Sequence, residues 1–597
     1  MDEERSIEAD RLIAQTAFNA ALDSLFFDYD DEVLNLLKPD PTDGDAWVDS
    51  MMENLSLDEK IGQLFIINLD GTSQRARERA MEAVEDFYVG GFIVSRAMDP
   101  QDVYEQTRTL QEESGLPLFF TADYERGVGR HSNNLTELPS NMGIGATRDP
   151  VFAAAAGRLT AIEGKAVGVN MVLAPVVDVN NNPANPIINI RSYSEDPALV
   201  GLMASSFVQE AQALGMLTTL KHFPGHGNTH VDTHTSMGTI HGDHHELDAV
   251  ELYPYRFVFD KEVEPSAVMS AHLWIPAYDE EPLPATFSRN VLHTLLRDTL
   301  SFNGLVITDD VRMGALMNDY SFEERTVNPL LAGADMVLTK SDFRRSVRSV
   351  RDAVSNGLVS EAVLNRSVRR VLTAKARAGL HNKRFVKKPV LDYLLAIPRG
   401  EPLAQATADK AVTLLKNDTM LPLDDSKKVS VIQITNRRNS PSIRAAMDLF
   451  ADSIAAGVTV LSDVRIEEDP SESRIASVKQ EAEDADAVIV VLYLRLASGS
   501  GDHGLQDSQE LLVDELVGMD KPVALMTLGN PYAVTPFADS EALLIAYEQS
   551  LASVRTLSKI LVGQQAPRGK LPISVGPYTY GSGLTETLPP QALSLSD

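Results

Sequence analysis

Short apolar runs recur along the first two thirds of the chain, each followed by a polar cluster and then a helix-length segment. The runs are Leu64–Leu69, Gly91–Ser95, Leu118–Ala122, Asn170–Pro175, Leu217–Lys221, Ala267–Ala271, Leu305–Thr308 and Met336–Thr339. Strands alternating with helices build parallel βαβ units, and eight such units predict an α/β fold, a TIM-type (β/α)8 barrel. The interval from Thr121 to Val169 has room for an inserted loop as well as a helix. A second alternating series follows: Val429–Ile434, Val458–Leu461, Ala487–Leu494, Val523–Leu528, Ala542–Tyr547 and Leu571–Val575. It predicts a smaller, open, doubly wound α/β sandwich domain. Pro389, Pro398 and Pro402 break the stretch between the two series. The expected organisation is an acidic N-terminal extension at 1–45, helical from Ala9 to Leu25, whose role is packing. A barrel at 46–384, a linker at 385–425 and the sandwich at 426–597 follow it.

Composition narrows the class. The 597 residues are 44% hydrophobic, with no run near the ~20 apolar residues of a membrane helix, so no membrane span is expected. Cysteine is absent, which removes disulfides, a thiol nucleophile and cysteine-ligated metal. A net charge of −32 disfavours nucleic acid and anionic membrane as partners. Met1-Asp2-Glu3-Glu4-Arg5 lacks the basic region and apolar core of a signal peptide. The chain as given is expected to be cytoplasmic, with an exported mature form as the alternative if a leader is removed. Neither a G-x-G-x-x-G nor a G-x-x-x-x-G-K-[ST] motif opens a helix of the second series, so nucleotide binding is not expected. Arg344, Arg345, Arg348 and Arg351 read as a solvated helix face. The Ser498–Gly501 loop with Asp502 and His503 reads as a surface turn. Oligomeric state is left open.

Active sites of such barrels lie at the C-terminal ends of the strands, so the residues just after each run are the candidates. The third run leads into Asp123-Tyr124-Glu125-Arg126-Gly127-Val128-Gly129-Arg130. The fourth leads into Asp178 to Pro183 and then Asn189 to Pro197, which includes Arg191. The sixth gives Ser270-Ala271-His272 and the seventh Thr308-Asp309-Asp310. A structural ion-pair belt would account for any one of these. Together they predict a catalytic rim.

The fifth run leads into the densest stretch, Lys221-His222-Phe223-Pro224-Gly225-His226-Gly227, continuing to Asp232-Thr233-His234. Histidines at 222, 226, 230 and 234 would line one face of a helix and suggest a metal site. Pro224, Gly225 and Gly227 oppose that helix. Asp232 and His234 read better as a dyad, the carboxylate fixing the imidazole tautomer and raising its basicity. Neither a metal nor a cofactor is expected.

These motifs resemble glycoside hydrolase family 3, in particular its two-domain β-N-acetylglucosaminidase branch. Lys221 to Gly227 with Asp232-Thr233-His234 is similar to the branch signature nearly residue for residue. Ile307-Thr308-Asp309-Asp310 with Met313 is similar to its nucleophile segment. Asn182-Pro183 through Arg191 to Asp196-Pro197, Leu331 to Met336, and Leu528-Gly529-Asn530-Pro531-Tyr532 of the second domain also match. The first-domain resemblance covers about Leu55 to Leu423. It implies Asp309 as nucleophile, His234 as acid/base and Asp232 as its orienting partner. It also implies Asp123, Arg130, Arg191, Lys221 and His222 as groups binding sugar hydroxyls. One departure is Asp123-Tyr124-Glu125-Arg126-Gly127, where Arg126 stands for a family glycine and one residue fewer precedes Arg130.

The implied activity is a retaining exo-β-N-acetylglucosaminidase acting on carbohydrate, on peptidoglycan-derived or chitin-derived fragments, through a covalent glycosyl-aspartate. The alternatives are a β-glucosidase or xylosidase of the same family, a phosphorylase using phosphate as acceptor, a metal-dependent barrel hydrolase, and a non-catalytic sugar-binding relic.

Overall fold

The computed structural model describes residues 16–25, 31–95, 98–132, 134–261, 264–340, 342–396, 400–436, 440–494 and 504–586. Contacts divide the chain into two units. The first is Met1–Leu138, Pro150–Val179 and Pro197–Leu403; the second is Pro139–Asp149, Asn180–Asp196 and Ala404–Asp597.

All eight expected strands form in the first unit: β1 Phe65–Leu69, β2 Gly91–Val94, β3 Phe119–Ala122, β4 Met171–Val172, β5 Leu217–Phe223, β6 Ala267–Ser270, β7 Leu305–Thr308 and β8 Val337–Thr339. They are parallel in the order β8-β1-β2-β3-β4-β5-β6-β7, and a parallel bridge from Ile307 to Met336 closes the ring. β4 is shorter than its apolar run because Pro175 has no N–H to give the ladder. Its backbone still follows β5, with Thr219 N–H donating to Ala174 O and Val177 N–H to Lys221 O.

One apolar cluster draws Ile66, Ile93, Phe119, Met171, Leu217, Met269, Ile307 and Leu338 from the eight strands, and is the barrel interior. Helix Glu361–Arg377 adds Val371 and Ala374 to it. Strand side chains alternate between faces. Counting in twos from Phe119, Leu217 and Ile307 carries the inward face to Asp123, Lys221 and Asp309 at the C-terminal ends. That parity positions the site.

The second unit has a six-stranded mixed sheet: β9 Thr413–Asn417, β10 Lys428–Thr435, β11 Thr459–Ile466, β12 Ala487–Leu494, β13 Val523–Gly529 and β14 Ala542–Ala546. The order is β9-β14-β13-β12-β10-β11, parallel except for antiparallel β9. Helices Glu472–Ala482 and Asp507–Val517 cover one face, and helices Pro441–Ala455 and Leu551–Leu561 the other.

Two expectations change here. The 385–425 stretch, read as a linker, contains helices Lys388–Leu395 and Gly400–Ala411 and supplies β9 to the sheet. Leu571–Val575 is not a strand. Leu571, Ile573 and Val575 alternate into the core as a strand would. Pro572, however, lacks an N–H, and the neighbouring backbone is committed elsewhere. Glu195 N–H donates to Pro572 O, and Glu195 accepts from Ser574 N–H at 2.6 Å.

At the N-terminus 16–24 is helical. The Ser498–Gly501 loop with Asp502 and His503 lies outside the described residues. Among the described residues no helix is long and apolar enough to cross a membrane.

Candidate active site

Three inward groups meet at the ends of β3 and β5. Lys221, 2% exposed, holds its ammonium 2.9 Å from Asp123 Oδ1 and 2.6 Å from Glu125 Oε1. One buried cation between two carboxylates leaves a net negative floor. Burial pushes the Asp123 carboxyl up, but the Lys221 charge outweighs that, and the group is held down at about 2. Asp123 is therefore an acceptor at any ordinary pH, the form that holds a sugar hydroxyl.

Asp178, just beyond β4, is buried and organises the turn after β5. Its Oδ2 lies 2.7 Å from His222 Nδ1, while Oδ1 accepts from the N–H groups of His222 at 3.0 Å and His226 at 2.7 Å. Burial raises this carboxyl, and the two histidines more than reverse it. An ionised Asp178 only accepts, so His222 carries its ring proton at Nδ1 when neutral. Gly227 is required beside this turn, since a Cβ there would lie 1.7 Å from Val179 O.

Asp309 follows β7 directly. Its N–H donates to Ser270 O on β6, and its Oδ1 accepts from Asp310 N–H at 2.7 Å. Burial pushes the Asp309 carboxyl up. The positive potential of His222, His272 and His234, together with the Asp310 N–H, overcomes it and holds the group below its ordinary value. His272 is buried, and that burial lowers its own value. Its Nε2 donates to Asp310 O at 3.2 Å, and Nδ1 faces the Thr286 hydroxyl at 2.9 Å.

The loop after β5 returns with the dyad. Asp232 Oδ1 lies 2.7 Å from His234 Nδ1 and also accepts from His234 N–H at 2.9 Å. Asp232 is buried, whereas the His234 side chain is 44% exposed, so Nε2 is the nitrogen available for proton exchange. The loop is tied at several points. His226 Nε2 meets the Thr233 hydroxyl at 2.9 Å, Gly314 N–H donates to His234 O, and Ala315 N–H donates to Thr233 O. A Cβ on Gly314 would lie 2.3 Å from Thr235 O, so that glycine permits the acid/base loop to lie against the loop that follows Asp309.

Asp123, Lys221, His222, Asp232, His234 and Asp309 thus belong to one barrel rim. Arg130 lies in the loop after β3, in a short turn Val128–Arg130, with its guanidinium 3.8 Å from Glu137. Arg126, the departure from the family pattern, takes the same carboxylate at 3.4 Å. Arg191 belongs to the second unit, where its carbonyl accepts from Asn141 Nδ2. The four regularly spaced histidines diverge. His222 and His226 serve Asp178, His234 pairs with Asp232, and His230 is exposed. Among the described residues no group of three or more metal-ligating side chains is assembled. Glu125, Asp178, His226, Thr233 and His272 were not assigned roles from sequence. Three of them stood in the polar clusters after β3, β4 and β6, a signal of position but not of partner.

A barrel rim with an ionised, half-buried carboxylate and an Asp–His pair offers an attacking group and a proton donor, the two functions that glycoside hydrolysis needs. The Glycosyl hydrolase family 3 N terminal domain matches residues 56–374 and the corresponding C-terminal domain residues 412–586. The chain belongs to glycosyl hydrolase family 3. It is 27% identical to beta-hexosaminidase A of Pseudoalteromonas piscicida over 553 residues, 83% of this chain and 90% of that one. Among solved structures it is similar to a family 3 beta-N-acetylglucosaminidase from Paenibacillus sp. str. FPU-7, with a TM-score of 0.75, 29% identity, and coverage of 88% and 99%. It is also similar to the beta-glucoside phosphorylase BglX bound to 2FGlc, with a TM-score of 0.80, 26% identity, and coverage of 90% and 97%.

Proposed function

We propose that the chain is a retaining exo-β-N-acetylglucosaminidase that removes terminal N-acetylglucosamine from peptidoglycan- or chitin-derived fragments. The observation that carries this is the pairing of an ionised, half-buried Asp309 with an Asp232–His234 dyad whose imidazole is exposed. The similarity to a beta-hexosaminidase and to a beta-N-acetylglucosaminidase supports the choice of sugar.

In the first step an Asp309 carboxylate oxygen attacks C1. The C1–O bond breaks, and the leaving oxygen takes the proton from His234 Nε2. In the second step water attacks C1 from the opposite side, gives its proton to Nε2, and releases Asp309 as carboxylate. Asp232 holds the imidazole at Nδ1 and stabilises its charged form, as an orienting carboxylate does in acyl transfer. Asp123, Lys221, His222 and Arg130 hold sugar hydroxyls. Arg191 is proposed for the same task.

The test is a rate comparison of p-nitrophenyl N-acetyl-β-glucosaminide, β-glucoside and β-xyloside, with Asp309→Ala as control. The N-acetylglucosaminide should be the fastest, and Asp309→Ala should lose roughly 10⁴-fold or more. A faster glucoside would overturn the sugar assignment, and near-native activity in Asp309→Ala would overturn the mechanism.

A second reading is favoured by the similarity to a beta-glucoside phosphorylase, namely that phosphate replaces water in the second step. An imidazole, unlike a carboxylate, does not repel that anion. Product analysis in phosphate buffer decides it. A sugar 1-phosphate would support the reading, and free sugar alone would end it.

A further inference from the structure

At the end of the barrel opposite the catalytic rim, beside the starts of β4 and β5, lies a crevice of about 30 Å³. Its walls carry four cations, Lys38, Lys165, Lys383 and Arg384, and no carboxylate, in a chain with 85 acidic residues to 53 basic ones. Lys38 comes from the N-terminal segment and Lys165 from the last turn of helix Pro150–Ala166. Lys383 and Arg384 follow helix Glu361–Arg377.

Among the described residues the hydrogen bonds of these cations go to uncharged acceptors. Lys38 donates to Asn35 Oδ1, Lys383 to Leu36 O, and Arg384 to the carbonyls of Gln111, Ser114 and Gly115. Lys165 donates to Leu214 O at 2.7 Å. Asp40, which is exposed, acts on Lys383, but Lys387 adds a further positive charge beside it. Cations at helix ends can serve only to cap carbonyls, and here the ends of helices Pro100–Glu113, Pro150–Ala166 and Pro197–Ala213 meet. Three helix C-termini at about −0.5 each, together with Asp40, offset only about two and a half of the four charges.

Lys165 decides between capping and binding. Its ammonium has three protons and gives one to Leu214 O. Gly215 makes room for it, since a Cβ there would lie 2.8 Å from Nζ. The side chain is half-buried, and burial, with the Lys383 charge adding to it, holds the group down at about 7. A cation desolvated among like charges is costly unless a counter-charge joins it.

We infer that this crevice binds a chloride ion, held by the Lys165 ammonium between the Lys383 and Arg384 charges. One water occupies about 30 Å³ of the liquid, so there is room for a single particle of that order and none for a phosphate or a sugar acid. The ion ties segment Leu37–Pro39 to the helix ends at the base of the barrel. The site is separate from the catalytic rim and does not depend on the sugar or the mechanism assigned there.

The experiment reads chloride directly on the full chain, by chloride NMR line broadening titrated with sodium chloride while gluconate holds the ionic strength. The wild type should show saturable broadening that bromide displaces. Lys165→Met should weaken binding roughly tenfold or more, the loss of one charge-assisted bond. Raising the pH from about 6 to about 9 should weaken wild-type binding by a similar factor, because the anion favours protonated Lys165, and should affect Lys165→Met less. The pH series needs only the wild type, so it stands even where the variant misfolds. Crystals of the full chain in bromide should show an anomalous peak within hydrogen-bond distance of Lys165 Nζ. Absence of saturable broadening overturns the inference. So does binding that either the substitution or the pH change leaves intact, and so does bromide found elsewhere with none at Lys165.

Discussion

Substituting Asp178→Asn isolates one carboxylate that touches no substrate in the proposed mechanism yet sets the state of His222. The native group accepts three hydrogen bonds, from His222 N–H at 3.0 Å, His226 N–H at 2.7 Å and His222 Nδ1 at 2.7 Å. The amide oxygen of asparagine can keep both backbone donors. Its nitrogen must then face His222 Nδ1, and two N–H groups cannot bond. Either the imidazole moves its proton to Nε2, or the contact is lost. A charge-assisted bond of this kind is worth about 1.5–3 kcal/mol. Expressed fully in the transition state, that is roughly 10- to 150-fold in kcat/KM. His222 also contributes to holding Asp309 ionised, so the loss should fall on the attacking step as well as on binding. The assay is kcat/KM on p-nitrophenyl N-acetyl-β-glucosaminide beside a thermal melt. A variant within twofold of wild type in rate would refute the role given to Asp178.

Other outcomes follow from the same geometry. His234→Ala should cost about 10²- to 10⁴-fold on disaccharides, which need a protonated leaving oxygen, and less on p-nitrophenyl substrates. Equal losses on both would argue against His234 as the acid. Burial pushes Glu163 up to about 7 despite its bonds from Thr136, so it stays protonated in the fold at pH values where the unfolded chain has lost that proton. Wild-type stability should therefore fall as pH rises from about 4.5 to 7, by about 3 kcal/mol in all. Glu163→Gln should remove that slope in denaturant titrations, and an unchanged slope would refute the assignment.

Much of the barrel was legible because its determinants are local and periodic. Eight apolar runs of strand length, each followed by a helix, admit few topologies, and the structure has the expected eight strands in one ring. The second domain was legible in the same way, with one failure that is physically informative. Leu571–Val575 has the alternation of a strand, but Pro572 and the Glu195 contacts take it out of the ladder. The sheet instead gains β9 from a stretch whose prolines hid it.

The candidate site divides along the same line. Residue type and place after a strand brought forward Asp123, Lys221, Asp309 and the Asp232–His234 pair, the last because its two members are near neighbours in the chain. Partners distant in sequence could not be read. Lys221 and Glu125 are 96 positions apart, and Asp178 and His222 are 44. Such pairs exist only after βαβ crossovers bring successive strand ends together. Periodicity and composition therefore determined that there is a barrel and that the residues after its strands are the candidates. The tertiary structure alone decided which carboxylate meets which cation, which ring nitrogen holds a proton, and where unneutralised charge remains. Those quantities depend on distance and burial, and neither is a property of a residue's place in the chain.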